Sequence, residues 1–279
     1  MKVKTLIVLF DNKLPLNRMP LFRGAIIDLV GGDDMYHNHK EDSFYYRYPF
    51  IQYKRIHGQA AIFTIGPGTE QITKLLNANN FKLKMGEESE TFVIEKIIPG
   101  LTLIQTWDSR FHYHLRKWVA LNSENYTKYL AMETVIERTQ FLQNILTGNI
   151  LSMCKGLGIT IEKTIECLIT HIDEPHKVKY KGNSLMSFDL EFASNVSLPD
   201  YIGLGKAVSM GYGMVVMKHE KKKLNNNPIT KKHEWTITVC RRRFVRNTEV
   251  HIQHFVQKSH GQPERAFSMV ERLYGRCLQ

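Results

Sequence analysis

A chain of 279 residues, 43% of them hydrophobic, can bury ordinary cores and has the length of one to two domains, which excludes disorder throughout. Its formal charge of +11 is uneven: residues 218–279 hold 14 Lys and Arg against 5 Asp and Glu, leaving 24 against 22 for residues 1–217. A basic end points to phosphate backbones, and its plainer reading is a solvated extension.

From the start, "KTLIVLF" has the composition of a strand and runs into Asp11 and Asn12 without a small-residue cleavage site, so the chain reads as cytosolic. No run of about 18 apolar residues follows that would cross a membrane. "NRMPLFRGAIIDLV" carries apolar residues at helical spacing. Next comes "MYHNHKEDSFYYRYPFIQYK", where Gly31 and Gly32 upstream argue against a helix. In an extended segment side chains alternate, so His37 and His39 would share a side roughly 6 to 7 Å apart, a gap that suits two imidazoles flanking one phosphate. Three adjacent letters His-Asn-His are not the metal-dependent nuclease motif of that name, whose residues spread over a few dozen positions. "FYYRYPFIQYKRI" reads as a long strand edged by Pro49, in which Tyr45, Tyr46, Tyr48 and Tyr53 suit a pleated surface and Arg47, Lys54 and Arg55 suit a solvated edge.

"QAAIFTIG" is a further strand, "TEQITKLLNA" a helix with Thr69 as its N-cap, and "ETFVIEKII" closes a first round, with Pro99-Gly100 as the boundary of a first domain, residues 1–100. A second round, residues 101–217, runs "LTLIQTWD", "HYHLRKWVAL", a helix from about Thr127 to Cys154 closed by Lys155-Gly156, then "ITIEKTIECLITHI", "HKVKYKG" and "SLMSFDLEFAS". Two β-α-β-β-α-β rounds predict an α+β protein of two tandem ferredoxin-like (RRM-like) domains plus a basic C-terminal extension, residues 218–279. The four cysteines, Cys154, Cys167, Cys240 and Cys277, are widely spaced and read as reduced thiols. His112 and His114 repeat the His-x-His spacing; a metal site built from both pairs is an enzymatic rival, against which stands the plain reading of strand residues beside Trp107 and Trp118.

"LPDYIGLGKAVSMGYGMVV" holds Gly203, Gly205, Gly211 and Gly213. It is not a P-loop, because position 200 is Asp, nor a dinucleotide fingerprint, because no third glycine follows at the required spacing. Such a segment can bring backbone N–H groups and Lys206 close to a phosphate backbone, or simply turn the chain before the strand "GMVV".

"GLGKAVSMGYG" resembles, over its full length, the terminal glycine-rich loop of the CRISPR-associated repeat-RNA-processing endoribonucleases of the RAMP superfamily. "HNH" followed by "YRYPFIQYK" is similar to the form associated with subtype I-B, in which two nearby histidines act. The resemblance covers about residues 1–217. It implies a metal-independent, cofactor-free ribonuclease that cuts CRISPR repeat RNA (pre-crRNA) by attack of a ribose 2′-OH on the neighbouring phosphate. His37 and His39 are then the acid/base pair, Tyr46 an orienting hydroxyl, and Lys54 or Lys40 the cation that stabilises the phosphorane. Lys40, Arg47, Gly203, Gly205, Lys206, Ser209, Gly211 and Gly213 would contact RNA. Expected partners are the repeat RNA and other subunits of a CRISPR effector complex, with no membrane and with monomer or homodimer left open. The alternative is a non-catalytic scaffold that grips guide RNA. The extension, from "MKHEKKKLNNNPITKKHEW" onward, departs from the family, whose chains ordinarily stop soon after "GYGMVV".

Overall fold

A computed structural model of the chain describes residues 1–37 (His37 by its backbone alone), 48–78, 81–180 and 182–218, and the backbone of 237–238. The first round is β1 (Lys2–Lys13), a 3-10 turn at Leu16–Arg18, α1 (Met19–Leu29), α2 (Asp34–His37), β2 (Ile51–Ile56), β3 (Gln59–Ile65), α3 (Gly68–Leu76), a hairpin of β4 (Lys82–Met85) and β5 (Glu88–Thr91), and β6 (Ile94–Leu103). Its sheet runs β6-β1-β3-β2, every neighbour antiparallel. The second round is β7 (Thr106–Trp118), α4 (Ser123–Ala131), α5 (Val135–Gly156), β8 (Cys167–Ile172), β9 (His176–Tyr180), β10 (Asn183–Val196) and β11 (Met214–Met217), with the sheet ordered β11-β7-β10-β8. Both sheets thus place their first and third long strands at the centre, the order of a ferredoxin-like domain, and the two-domain α+β expectation holds for the described residues.

The elements follow from local chemistry. Apolar residues at helical spacing, Phe22, Ala25 and Ile26, turn α1 onto the sheet, where Phe22 meets Phe10 edge-to-face and stacks on Phe92. At the start of α5, Thr134 accepts from the Glu137 amide while Glu137 reaches back to the Thr134 amide, a complete capping box. Leu142, Leu146, Ile150 and Met153 line the buried stripe of this helix. One core lies between α1, α3 and the first sheet. The other lies in the second round and takes in Val3, Phe50, Phe63 and Ile65 from the first. The first sheet is therefore covered on both faces, and β2 is buried at every position but Arg55.

Several expectations are corrected. Helix α3 is capped by Pro67 without a side-chain bond; Thr69 sits in its first turn, and its hydroxyl donates to the Gly66 carbonyl at 2.8 Å. The strand expected over 44–56 is described only from Ile51, with residues 44–47 outside the described residues. β6 runs through Pro99 and Gly100, pairing Leu6 with Pro99 and Thr5 with Gly100. The helix expected from 127 to 154 is two helices, broken at Met132, whose backbone is extended. Gly156 closes α5, but the left-handed residue beyond it is Gly158, at φ +68°. The second round also departs from the pattern: where a second helix would lie, residues 197–213 hold only a 3-10 turn at Val208–Met210. Of the extension, β12 (Ile237–Thr238) pairs antiparallel with β6 at Ile97 and Lys96. Among the described residues, no helix is long and apolar enough to cross a membrane.

Candidate active site

The backbone of His37, the one member of the histidine pair among the described residues, departs from its extended reading. Gly31 and Gly32, at φ +76° and +74°, end α1 rather than forbid the next helix. The Asp33 carboxylate then accepts the Met35 amide at 2.9 Å and pairs with Lys74, which holds its pKa below the usual carboxylate range. Tyr36 is buried and donates to the Gln71 carbonyl of α3 at 2.9 Å. His37 closes this short helix, so its backbone is helical and the two-residue alternation of a strand does not apply to it. His39, Lys40, Tyr45, Tyr46 and Arg47 lie outside the described residues.

The chain re-enters at Tyr48 against the glycine-rich stretch. Tyr48 donates its hydroxyl to the Gly203 carbonyl at 2.8 Å, and burial pushes its pKa well above the usual phenol range. The Gly203 amide donates to Gln52 Oε1 at 3.1 Å, and Gln52 Nε2 donates to the Tyr48 hydroxyl at 3.0 Å. Tyr48 also packs against Gly156, where any side chain would collide with its Cβ. The end of α5, the strand after the histidines and the glycine-rich stretch therefore meet at this tyrosine.

Lys54, two residues beyond Gln52, is fully buried, which removes the reading of a solvated edge charge. Its Nζ has no hydrogen-bond partner among the described residues, and burial lowers its pKa from 10.5 to about 7. A side chain at Gly203 would begin 3.0 Å from that nitrogen. Gly205, at φ +87°, lies where a Cβ would meet the Trp118 Nε1 at 2.7 Å, and Gly211, at φ +85°, would bring one to 3.1 Å from the Tyr53 carbonyl. Gly213 pairs with Leu204 across the neck of the loop, the Leu204 amide donating to the Gly213 carbonyl at 2.8 Å. Lys206 is exposed at the loop's rim and Ser209 half-buried within the 3-10 turn. The glycines thus serve close approach within the protein, and what Gly203, Gly205 and Gly211 approach in this structure is β2 and Trp118.

His112 and His114 lie on β7; His112 is exposed, and His114 Nδ1 is 3.3 Å from Glu191, which also pairs with Lys218 at 2.6 Å. Among the described residues no group of three or more His, Cys, Asp or Glu side chains is arranged to hold a metal ion. Cys154 and Cys167 are free thiols; Cys240 and Cys277 lie outside the described residues. Sequence reasoning missed Gln52 and did not set Tyr48 apart from its neighbours. A buried polar residue in "IQYKRI" leaves no spacing signal, since its partner comes from 151 residues away.

Comparison with known proteins identifies the family of the chain. Residues 1–99 match the Cas6b N-terminal domain and residues 105–218 the Cas6b C-terminal domain. Over 103 residues the chain is 39% identical to an uncharacterised protein of Methanocaldococcus jannaschii, covering 37% of this chain and 69% of that one. Among solved structures, a Cas6b crystal structure superposes with a TM-score of 0.73 at 29% identity, over 78% of this chain and 100% of the other. A second, described as the CRISPR RNA processing endoribonuclease Cas6b, gives 0.61 at 28% identity over the same shares. Both family domains in order, the two ferredoxin-like sheets and the glycine-rich stretch together place the chain in the Cas6b family.

Proposed function

We propose that the chain is a metal-independent endoribonuclease that cleaves CRISPR repeat RNA and so releases guide RNAs. The 2′-oxygen of one ribose attacks the adjacent phosphorus, a base takes its proton, and the P–O5′ bond breaks as an acid protonates the leaving oxygen. The products are a 2′,3′-cyclic phosphate and a 5′-OH. His37 and His39 are the acid/base pair, because imidazole is available in both forms near neutrality, and Tyr46 orients them. Lys54 or Lys40 offsets the charge of the phosphorane. Lys54 is fully buried in this conformation, so a phosphate meets its amine only once the cover over it, Gly203 included, shifts. Lys40, Arg47, Lys206, Ser209 and the glycines 203, 205, 211 and 213 are the RNA contacts.

The observation that carries this reading is the bond from Tyr48 to Gly203, in a chain of the Cas6b family. It brings the stretch able to approach a phosphate backbone against the strand that follows the histidines. The test is incubation of the purified protein with repeat RNA in excess chelator, beside a copy carrying a single 2′-deoxy sugar at the cut site. Cleavage of the first with a cyclic-phosphate end, and none of the second, is expected. Cleavage that needs a divalent metal would overturn the mechanism in favour of histidine ligands, and tight binding without cutting under either condition would make the chain a scaffold.

A further inference from the structure

Gln52 and Lys54 stand two residues apart on β2 and therefore on one face of the strand. Both approach the same bare glycine: a Cβ added at Gly203 would lie 3.0 Å from Gln52 Oε1 and 3.0 Å from Lys54 Nζ. They differ in what they bond. Gln52 accepts the Gly203 amide at 3.1 Å and donates to the Tyr48 hydroxyl and the Pro49 carbonyl, each at 3.0 Å; Tyr48 in turn donates to the Gly203 carbonyl at 2.8 Å. The amine of Lys54 has no hydrogen-bond partner among the described residues. Gly203 is thus gripped at both its polar groups, and Lys54 has no part in the grip.

We propose that Gln52 is a positioning residue for Lys54: by holding Gly203 at its amide and, through Tyr48, at its carbonyl, it fixes the glycine-rich stretch over the lysine amine and keeps water from it. The proposal rests on the reading of Lys54 as the cation of the cleavage site, but the relation between the two side chains exists without RNA and is measurable in the protein alone. A buried amine whose cover is held by other residues has its protonation set by those residues, because hydration is what the cover withholds.

Among the described residues, the charged and titratable groups of the surrounding elements supply no competing cause. On β2, Arg55 faces solvent and donates to the Leu14 carbonyl at 2.8 Å, and β3 places Ala61 opposite Lys54. From α1, the Arg23 guanidinium sits 5.9 Å over the Tyr53 ring. Burial pushes the Cys154 thiol at the end of α5 up to about 11 and raises Tyr48 likewise, so both are neutral at the expected midpoint near 7. From β7, Lys117 lies beside Asp189, while Lys206 of the stretch is exposed. Burial alone accounts for the depressed pKa of Lys54.

The experiment follows the side-chain resonance of Lys54 in full-length protein labelled at lysine, assigned by its loss in Lys54→Met, across pH 6 to 11, with the cleavage rate measured over the same range. In the unaltered chain the midpoint is expected near 7. In Gln52→Ala it is expected to rise by about one unit or more, a tenfold or larger change in proton affinity, as water reaches the amine. Tyr48→Phe, which removes one hydroxyl and leaves the Gln52–Gly203 bond, should raise it by less, and this variant decides if Gln52→Ala does not fold. An unchanged midpoint in the folded variants, or a midpoint near 10 in the unaltered chain, overturns the proposal. A shifted midpoint with an unshifted pH profile of cleavage upholds it and removes Lys54 from the chemistry instead.

Discussion

A lysine amine buried without a partner holds its proton less tightly than the same amine in an unfolded chain. For Lys54 the two values are about 7 and 10.5. Between them the unfolded chain carries one proton more, so this residue makes stability rise with pH across that window; below about 7 both states are charged and its full burden is present. Lys54→Met keeps the length of the side chain and removes the charge. The variant should be more stable than the unaltered chain below pH 7, and the gap should narrow as pH climbs towards 10. Urea midpoints of both proteins at several pH values measure it, and a gap independent of pH would sink the argument. None of this was legible in "IQYKRI", where alternate positions invite one wet face, because the cover over Lys54 includes Gly203, distant in sequence. The backbone at His37 departs from its extended reading for a nearer reason: Gly31 and Gly32 serve the helix before it, and an aspartate turn at Asp33 restarts helix at once.

Among elements, α5 shows how much a terminus can fix. Its 22 residues open with the capping box of Thr134 and Glu137, directly after the extended break at Met132. Thr134→Ala removes the hydroxyl that accepts the Glu137 amide and is expected to cost about 1 kcal/mol, read as a lowered midpoint in thermal or urea unfolding with the helix otherwise retained. A loss within error would mean that packing of Leu142, Leu146 and Ile150 alone holds the end. The strands were legible through their period, and the two rounds through their alternation with helices. The missing second helix of the second round was not, since its place is taken by a turn whose glycines spell close approach without naming the surface approached. In the first round the surface is β2; in the second it is Trp118.

At the scale of the molecule, the two sheets have the same strand order and share one apolar core, in which Val3 and Phe63 pack with residues of the second round. The excess charge follows this body in sequence, beyond Lys218, and β12 returns to the first sheet at β6. If the extension contributes to RNA affinity, removing everything after Lys218 weakens binding and flattens the dependence of log affinity on log salt, by about 0.7 for each single-strand phosphate that the extension would otherwise neutralise. Titrations at several salt concentrations with both chains measure this, and an equal slope would make the extension a passenger in binding. The body also carries its own optical probe. Of the three tryptophans, Trp107 is 37% exposed, Trp235 lies outside the described residues, and Trp118 is wholly enclosed, its indole nitrogen donating to Asn149 directly beneath Gly205. An indole seated there senses the polarity of whatever lies above it, so once Trp107 and Trp235 are replaced by phenylalanine the colour of its emission reports the posture of the glycine-rich stretch without a label.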